Sequence, residues 1–249
     1  MAKKQTESVS KRQVRKEELR KKERQQRYIT IGALGSIAVL LLAAIIVPSI
    51  LRTANPVGEF IKITPQSYPN AQGKKLGDPN AAVKIDIFED FQCSACKTYQ
   101  ERFESQVVQQ IVAPGMASYE FHQYPFLDDN SPDKASDRAA LASECAGEQS
   151  RFWDYKNILF ANLTGAQDQF SEARLMAFAK SLSLEVDQFE TCLQSQKFRA
   201  ELETGLSLGN EMGVKGTPSV YVNGKEVSPG RVPTFDEIYA LVQQELQGS

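Results

Sequence analysis

Histidine is scarce in this sequence, because His122 is the only one among 249 residues. Four cysteines are present, but only Cys93 and Cys96 form a C-x-x-C pair. A tetrahedral zinc site needs four ligands, usually Cys or His at short spacings, and no second C-x-x-C is available to complete one. The sequence therefore predicts no metal site, and we interpret His122 as an ordinary strand residue.

Basic residues are concentrated at the N-terminus and are outnumbered elsewhere. Residues 1–27 contain 11 Lys and Arg against 4 Asp and Glu, which leaves 18 basic and 27 acidic residues for the rest of the chain. A nucleic-acid-binding domain normally carries a basic face. The acidic remainder argues against that class of protein, so the basic tail needs another explanation.

Charged residues are absent from residues 29–51, a stretch long enough to cross a bilayer as a helix. By the positive-inside rule, the Lys and Arg cluster before it predicts a cytoplasmic tail at 1–28 and an extracytoplasmic main body. A cleaved signal peptide is the alternative, but no good cleavage site follows the stretch. We expect a single-pass transmembrane helix at 29–51 and a linker at 52–76.

The main body has the alternating strand and helix patterns of an α/β protein. Residues 83–88 are predicted to form a strand, and a helical pattern then runs to 112 before a second strand at 117–124. This order predicts parallel strands joined by a crossover helix. Helical patterns fill 133–212, a hairpin follows at 219–227, and an amphipathic helix begins at 234. Residues 60–63 are a candidate short strand.

The C-x-x-C pair lies where the crossover helix is predicted to begin. The helix dipole and unpaired backbone N–H groups stabilise a thiolate there, so Cys93 is predicted to have a lowered pKa and to be the nucleophile. Cys96, one turn further on, is predicted to be the deeper, resolving thiol. The spacing alone is also compatible with half of a zinc site or with a structural disulfide.

Four stretches of the sequence resemble one family. Residues 88–96, F-E-D-F-Q-C-S-A-C, look like the active-site strand and helix start of the DsbA-like proteins, which have a thioredoxin fold. Gly77-Asp78-Pro79, R-F-W-D-Y-K-N-I-L-F at 151–160 and G-V-K-G-T-P-S-V-Y-V-N-G at 213–224 are similar to the same family. The resemblance implies a thioredoxin-fold domain at 77–249 with a helical insertion at 130–212.

The resemblance also implies an activity. It implies that Thr217-Pro218 is a cis-proline loop beside the cysteine pair, where the Thr217 backbone binds an extended substrate segment. It implies a bacterial thiol-disulfide oxidoreductase without a bound cofactor, which oxidises exported cysteine-containing proteins. A membrane quinone reductase of the DsbB or vitamin K epoxide reductase type is the implied redox partner. A disulfide reductase or isomerase, a Cu(I)-handling module and a catalytically idle anchor remain alternatives.

One departure from the family pattern concerns the acceptor for the proton of the buried thiol. Many members carry a buried acid six residues before the first cysteine, where this chain has Ile87. Asp86 and Glu89 flank that position, but strand alternation directs Asp86 to the opposite face of the sheet. The sequence therefore indicates no obvious acceptor for the proton of Cys96, which leaves the redox direction open.

The remaining cysteines, Cys145 and Cys192, each fall on an apolar helical stripe and are expected to point inward. In an oxidising compartment we expect them to form a structural disulfide within the helical insertion. The alternative is two free cysteines that act as small buried hydrophobic side chains.

Overall fold

A computed structural model describes residues 20–22, 24, 26–27, 34–37, 39–47, 57–130, 133–166 and 168–248. The chain divides into two compact units between residues 56 and 57. In the first unit, residues 34–37 and 39–47 are helical. No helix within the described residues is both long and apolar enough to span a bilayer. The rest of the predicted transmembrane helix at 29–51, and most of the predicted tail at 1–28, lie outside the described residues.

The second unit is built on one five-stranded sheet. Its strands are β1 (Lys75–Leu76), β2 (Val83–Glu89), β3 (Ala117–Gln123), β4 (Ser219–Val222) and β5 (Lys225–Val227). They lie in the order β1-β3-β2-β4-β5, with β2 and β3 parallel and the other neighbours antiparallel. The parallel pair confirms the predicted crossover, whereas β1 was not anticipated from the sequence.

The crossover helix, α1, begins directly after Cys93. It consists of four successive segments, Ser94–Tyr99, Gln100–Glu104, Ser105–Val107 and Val108–Val112, of which the second and fourth have π-helical hydrogen bonding. α1 packs with the C-terminal helix, α7 (Phe235–Gly248), over the sheet face that carries Ile85 and Ile87. That face forms the main apolar core.

Between β3 and β4, the described residues form a short 3-10 helix (Phe126–Asn130) followed by five α-helices. They are α2 (Ala135–Glu148), α3 (Phe152–Ala161), α4 (Glu172–Ser181), α5 (Val186–Gln194) and α6 (Arg199–Glu211). α2 packs against α3, α4 and α5, while α6 lies on β3 over the sheet face that carries Phe88. Gly209 allows this approach, because a Cβ there would lie 2.6 Å from the ring of Tyr124. α6 therefore covers the second face of the sheet, whereas Trp153 of α3 packs on Tyr119 and Phe121 of the first face.

A disulfide joins two helices of the insertion. The sulfur atoms of Cys145 in α2 and Cys192 in α5 are 2.03 Å apart, and both residues are buried. The bond therefore links two segments whose cysteines are 47 residues apart in sequence.

The chain from residue 57 onward packs against the helical layer. The N–H of Ile61 donates to Oδ1 of Asn162 at 2.7 Å, and Nδ2 of Asn162 donates back to the Ile61 carbonyl at 2.8 Å. The ring of Phe60 lies 5.1 Å from that of Phe178. The prediction of a strand at 60–63 is wrong, because an asparagine side chain pairs with this backbone in place of a neighbouring strand.

Candidate active site

Cys93 caps the N-terminus of α1. Its backbone is extended, with φ −81° and ψ 115°, and its Sγ accepts a hydrogen bond from the Cys96 N–H at 3.4 Å. The side chain of Cys96 favours the Cys93 thiolate most, the N–H groups of Cys96 and Ala95 add to this effect, and burial opposes it. Together they lower the pKa of Cys93 to about 6. The residue Cys93 is 9% exposed.

Cys96 lies one turn further into α1 and has no exposed surface. Burial raises the pKa of its thiol well above the ordinary value, and the neighbouring Cys93 and Glu89 raise it further. Both residues are free thiols in this structure. The two sulfurs thus differ in access and in acidity, as the sequence analysis expects of a nucleophile and a resolving thiol.

The loop that contains Thr217 and Pro218 lies against Cys93. The peptide bond between them is cis. The Thr217 carbonyl oxygen lies 3.2 Å from the Cys93 sulfur and accepts its S–H when the thiol is protonated. The Thr217 hydroxyl is buried without a partner in the described part of the chain, so it can donate to the thiolate form. A groove of about 400 Å³ adjoins this loop and is lined by residues that include Ala95, Lys215, Ser219 and Glu226.

A family model described as Thioredoxin matches residues 70–244. The chain belongs to the thioredoxin family. "Probable disulfide bond formation protein D" of Bacillus anthracis is 27% identical to it over 224 residues, which cover 88% of this chain and 96% of the relative. These findings confirm the predicted family and enzyme class, a DsbA-like thiol-disulfide oxidoreductase.

Solved structures of the thioredoxin family share the fold. Oxidised BdbD from Bacillus subtilis aligns with a TM-score of 0.62 at 23% identity, over 77% of this chain and 100% of that one. DsbA from Chlamydia trachomatis aligns with a TM-score of 0.61 at 22% identity, over 77% of this chain and 97% of that one. The predicted α/β thioredoxin fold with a helical insertion is therefore confirmed for the second unit.

Glu89 is a buried acid that the sequence analysis missed. It lies at the end of β2, on the same face as Ile87 because side chains two residues apart on a strand project together. Glu89 is 1% exposed, and neither carboxylate oxygen has a hydrogen-bond partner within the described residues. Burial raises its pKa well above the ordinary value, and Lys156 opposes that rise. A buried carboxyl group therefore lies near Cys96, where the sequence indicated no obvious acceptor for its proton.

The alternation rule that excluded Asp86 could have identified Glu89, since Glu89 is separated from Ile87 by one residue. In this chain the buried acid is Glu89, which lies two residues nearer in sequence to the cysteine pair than the position at which the family pattern has its acid. The carboxyl group is close enough to affect both sulfurs, because Cys93 contributes to the pKa of Glu89 and Glu89 contributes to that of Cys96.

A buried ion pair lies near the same cluster. Nζ of Lys156 in α3 donates to Oε2 of Glu104 in α1 at 2.6 Å, and the hydroxyl of Tyr119 donates to Oε1 of Glu104 at 3.2 Å. The Lys156 side chain has no exposed surface. Lys156 is a positive charge near Glu89, and it comes from the helical insertion.

His122 lies in β3, as predicted, but it has specific partners. Its Nε2 is 2.7 Å from Oδ1 of Asp86, and a ligand atom of Glu120 lies within 4.8 Å of both. Nζ of Lys84 is 2.9 Å from Asp86 and 3.0 Å from Glu120. The ammonium group of Lys84 therefore bridges the two carboxylates at this position.

Proposed function

We propose that this chain introduces disulfides into exported proteins, with Cys93 as the nucleophile and Cys96 as the resolving thiol. One arrangement carries the proposal: Cys93 caps the start of α1 while Cys96 is fully buried one turn further on, and the pKa of Cys93 is lowered to about 6 while the pKa of Cys96 is raised. A stabilised thiolate favours the reduced form of the enzyme, so its disulfide is a strong oxidant. The reaction then runs towards oxidation of the substrate.

The proposed reaction has two exchange steps. A substrate thiolate attacks the sulfur of Cys93 in the enzyme disulfide, a mixed disulfide forms, and Cys96 leaves as a thiolate. A second substrate thiolate then attacks the substrate sulfur of the mixed disulfide and releases Cys93 as a thiolate. The substrate loses two electrons and gains a disulfide, and the enzyme is reduced to the dithiol.

Glu89 is the proposed source and acceptor of the proton of Cys96. Because burial raises the pKa of both groups, neither is easily ionised on its own. Transfer of one proton from the carboxylic acid to the departing Cys96 thiolate avoids a buried charge on sulfur. When a membrane quinone reductase of the DsbB or vitamin K epoxide reductase type reoxidises the enzyme, the proton returns to Glu89.

The loop at Thr217 and Pro218 is the proposed substrate-binding element. The Thr217 carbonyl lies 3.2 Å from the Cys93 sulfur, so a substrate joined to Cys93 passes directly beside this backbone. An extended segment can pair with an exposed backbone edge in the manner of an added strand. The adjoining groove gives the substrate side chains a place to bind.

The proposed location is the outer side of a bacterial cell membrane, with a single-pass N-terminal anchor and a cytoplasmic tail. Its support is the charge-free stretch at 29–51 and the basic cluster before it. The names of the Bacillus relatives, which are disulfide bond formation proteins, are consistent with an oxidising compartment. The proposed domain runs from 77 to 249, and the disulfide between Cys145 and Cys192 is proposed to be structural.

A trapping experiment in cells tests the assignment of roles. Cys96→Ser leaves the nucleophile without its resolving partner, so we expect mixed disulfides with exported proteins to accumulate on non-reducing gels. Cys93→Ser is the matched control and should trap few. The reverse pattern would show that the two roles are exchanged. In intact cells treated with a membrane-impermeant reductant and then washed, a membrane-impermeant maleimide should label Cys93; labelling only after lysis would contradict the external location.

The reduction potential decides the direction of the reaction. A strongly oxidising Cys93–Cys96 couple supports the proposed oxidase. A potential close to that of thioredoxin, about −270 mV, would instead assign the chain to the reductases.

A further inference from the structure

The side chain of Gln92, the residue before the proposed nucleophile, enters a polar cluster at the edge of the helical insertion. Its Nε2 donates to Oδ1 of Asp128 at 3.1 Å and to Oγ of Ser136 at 2.8 Å. Its Oε1 accepts a bond from Nε2 of Gln169 at 3.4 Å. Asp128 precedes α2, Ser136 lies in its first turn, and Gln169 lies before α4. Two parts of the insertion, together with the turn that precedes α2, therefore converge on one amide group.

Asp90 connects this cluster to the turn that carries Cys93. Its Oδ1 accepts bonds from the Gln92 N–H at 2.8 Å and from the Ser136 hydroxyl at 2.6 Å. Its Oδ2 accepts the Leu127 N–H at 3.0 Å, and its backbone carbonyl accepts the Cys93 N–H at 2.9 Å. Asp90 is 1% exposed. Hydrogen bonds therefore link Gln92 and Ser136 through Asp90 to the backbone N–H of Cys93.

Asp128 fixes the same cluster to α2. Its carboxylate accepts the N–H groups of Ser136 at 3.1 Å and Asp137 at 2.7 Å, which are two of the unpaired donors at the start of that helix. The amide of Gln92 adds a third donor to the same carboxylate. The turn before Cys93 and the start of α2 thus share one acceptor.

The contact that stabilises the Cys93 thiolate depends on accurate placement. The Cys96 N–H reaches the Cys93 sulfur at 3.4 Å, and the Thr217 carbonyl lies 3.2 Å away on the opposite loop. Hydrogen bonds weaken steeply as distance and angle depart from the optimum, so a shift of a few tenths of an ångström matters. The turn at 90–93 determines where this sulfur lies.

We propose that Gln92 is a positioning residue through which the helical insertion holds Cys93 in the geometry that stabilises its thiolate. This inference rests on the proposed function, because it takes Cys93 as the nucleophile. Gln92 acts through Asp90 and the turn, not by touching the reacting sulfur atoms. The insertion then contributes to the reactivity of the thiol, in addition to covering the sheet.

The test uses Gln92→Ala in the full-length chain, with Gln109→Ala as the matched control. Gln109 is exposed on α1, and its amide bonds only to Ser105 among the contacts described. Alkylation of Cys93 by iodoacetamide is followed against pH in the reduced proteins carrying Cys96→Ser and, separately, in those with both cysteines. We expect Gln92→Ala to raise the alkylation midpoint by about half a pH unit or more and Gln109→Ala to leave it unchanged.

The reduction potential gives an independent readout that a purely structural role would not change. A threefold decrease in the equilibrium constant for thiolate formation corresponds to a shift of the reduction potential by about 15 mV in the less oxidising direction. A tenfold change in the equilibrium constant corresponds to about 30 mV for this two-electron couple. If Gln92→Ala does not fold, Ser136→Ala removes a single hydroxyl from the same cluster and should shift the midpoint in the same direction.

The outcomes separate the two proposals. A low midpoint in the wild type that neither Gln92→Ala nor Ser136→Ala changes overturns the positioning role, even if both variants melt at lower temperature. An ordinary wild-type midpoint near 8.5 overturns the nucleophile assignment itself.

Discussion

At the scale of single residues, two thiols on the same turn of α1 have opposite ionisation behaviour. Cys93, at the helix start, is stabilised as the thiolate by hydrogen bonds, whereas burial keeps Cys96 protonated. The lowered pKa of Cys93 should make the free energy of unfolding of the reduced protein depend on pH. Because folding lowers that pKa from about 8.5 to about 6, the stabilisation is fully present above the unfolded pKa and is lost as the pH falls through 6.

Glu89 provides the sharpest prediction at this scale. Glu89→Gln keeps the shape of the side chain but removes its proton transfer, so we expect attack of Cys96 on a Cys93–glutathione mixed disulfide to slow at pH 7 by about tenfold or more. The rate is measured by release of glutathione. Glu101→Gln, an exposed substitution on α1, is the matched control and should have no effect. Equal rates for both variants would remove Glu89 from the mechanism.

The same variant should change stability in a pH-dependent way. Burial raises the pKa of Glu89 in the folded chain above its unfolded value of about 4.3, so the wild type loses stability as the pH rises through the folded pKa. Glu89→Gln should therefore match the wild type near pH 4 and exceed it at pH 8. The difference should be about 1.4 kcal/mol for each unit by which folding raises the pKa. Urea unfolding at both pH values measures it.

At the scale of elements, the disulfide between α2 and α5 is expected to act on stability and not on chemistry. In the chain-entropy model, closing the loop between Cys145 and Cys192 stabilises the fold by roughly 4 kcal/mol. Replacing both cysteines by Ala should lower the melting temperature clearly and leave the alkylation midpoint of Cys93 unchanged. Dithiothreitol should lower the melting temperature of the wild type but not of the variant. An unchanged melting temperature would contradict a structural role.

Most elements of the second unit could be predicted because their patterns are local. Alternation predicted β2 and β3 to within one residue, and the hairpin predicted at 219–227 forms β4 and β5, with Asn223 and Gly224 at its turn. β1 could not be predicted, because a two-residue strand is defined by its partner β3 and has no pattern of its own. The strand predicted at residues 60–63 is absent for the converse reason, because the backbone of Ile61 pairs with the side chain of Asn162 and not with a neighbouring strand.

The candidate site could be predicted only in part, for a related reason. Cys93, Cys96, Thr217 and Pro218 belong to motifs that are visible in the sequence. The Gln92 cluster joins residues 36 to 77 positions apart, and no local pattern indicates such a contact. Strand alternation places Glu89 on the same face as Ile87, so Glu89 could have been predicted. The family pattern, however, has its acid at the position of Ile87.

At the scale of the whole molecule, the insertion and the thioredoxin half are joined by a buried charge pair near the active site. Lys156 of α3 is enclosed by the rings of Phe121, Trp153 and Phe160, whose centroids lie 5.7, 5.6 and 5.3 Å from its Nζ. Its carboxylate partner, Glu104, belongs to α1, the helix that carries the cysteine pair. Removing either partner leaves the other as an unpaired charge in the core.

A double-mutant cycle tests this connection. Lys156→Met and Glu104→Gln should each destabilise the fold by about 3–5 kcal/mol, because each leaves an uncompensated buried charge. The double variant contains no buried charge at this position. Its loss of unfolding free energy should therefore be smaller than the summed losses of the two single variants, by about 1–3 kcal/mol. Urea unfolding of the four proteins at pH 7 measures the coupling.

The surface pair of Lys225 and Glu245, whose charged atoms are 2.7 Å apart and whose side chains are 60% and 15% exposed, is the control for an ion pair that solvent reaches. Its cycle with Lys225→Met and Glu245→Gln should give a coupling below about 1 kcal/mol, because solvent screens the interaction and the side chains lose entropy on pairing. If the two cycles give equal couplings, the pair of Lys156 and Glu104 does not hold the insertion to the thioredoxin half. A larger coupling at the buried pair, together with a raised pKa of Glu89 in Lys156→Met, would place the insertion in direct electrostatic contact with the active site.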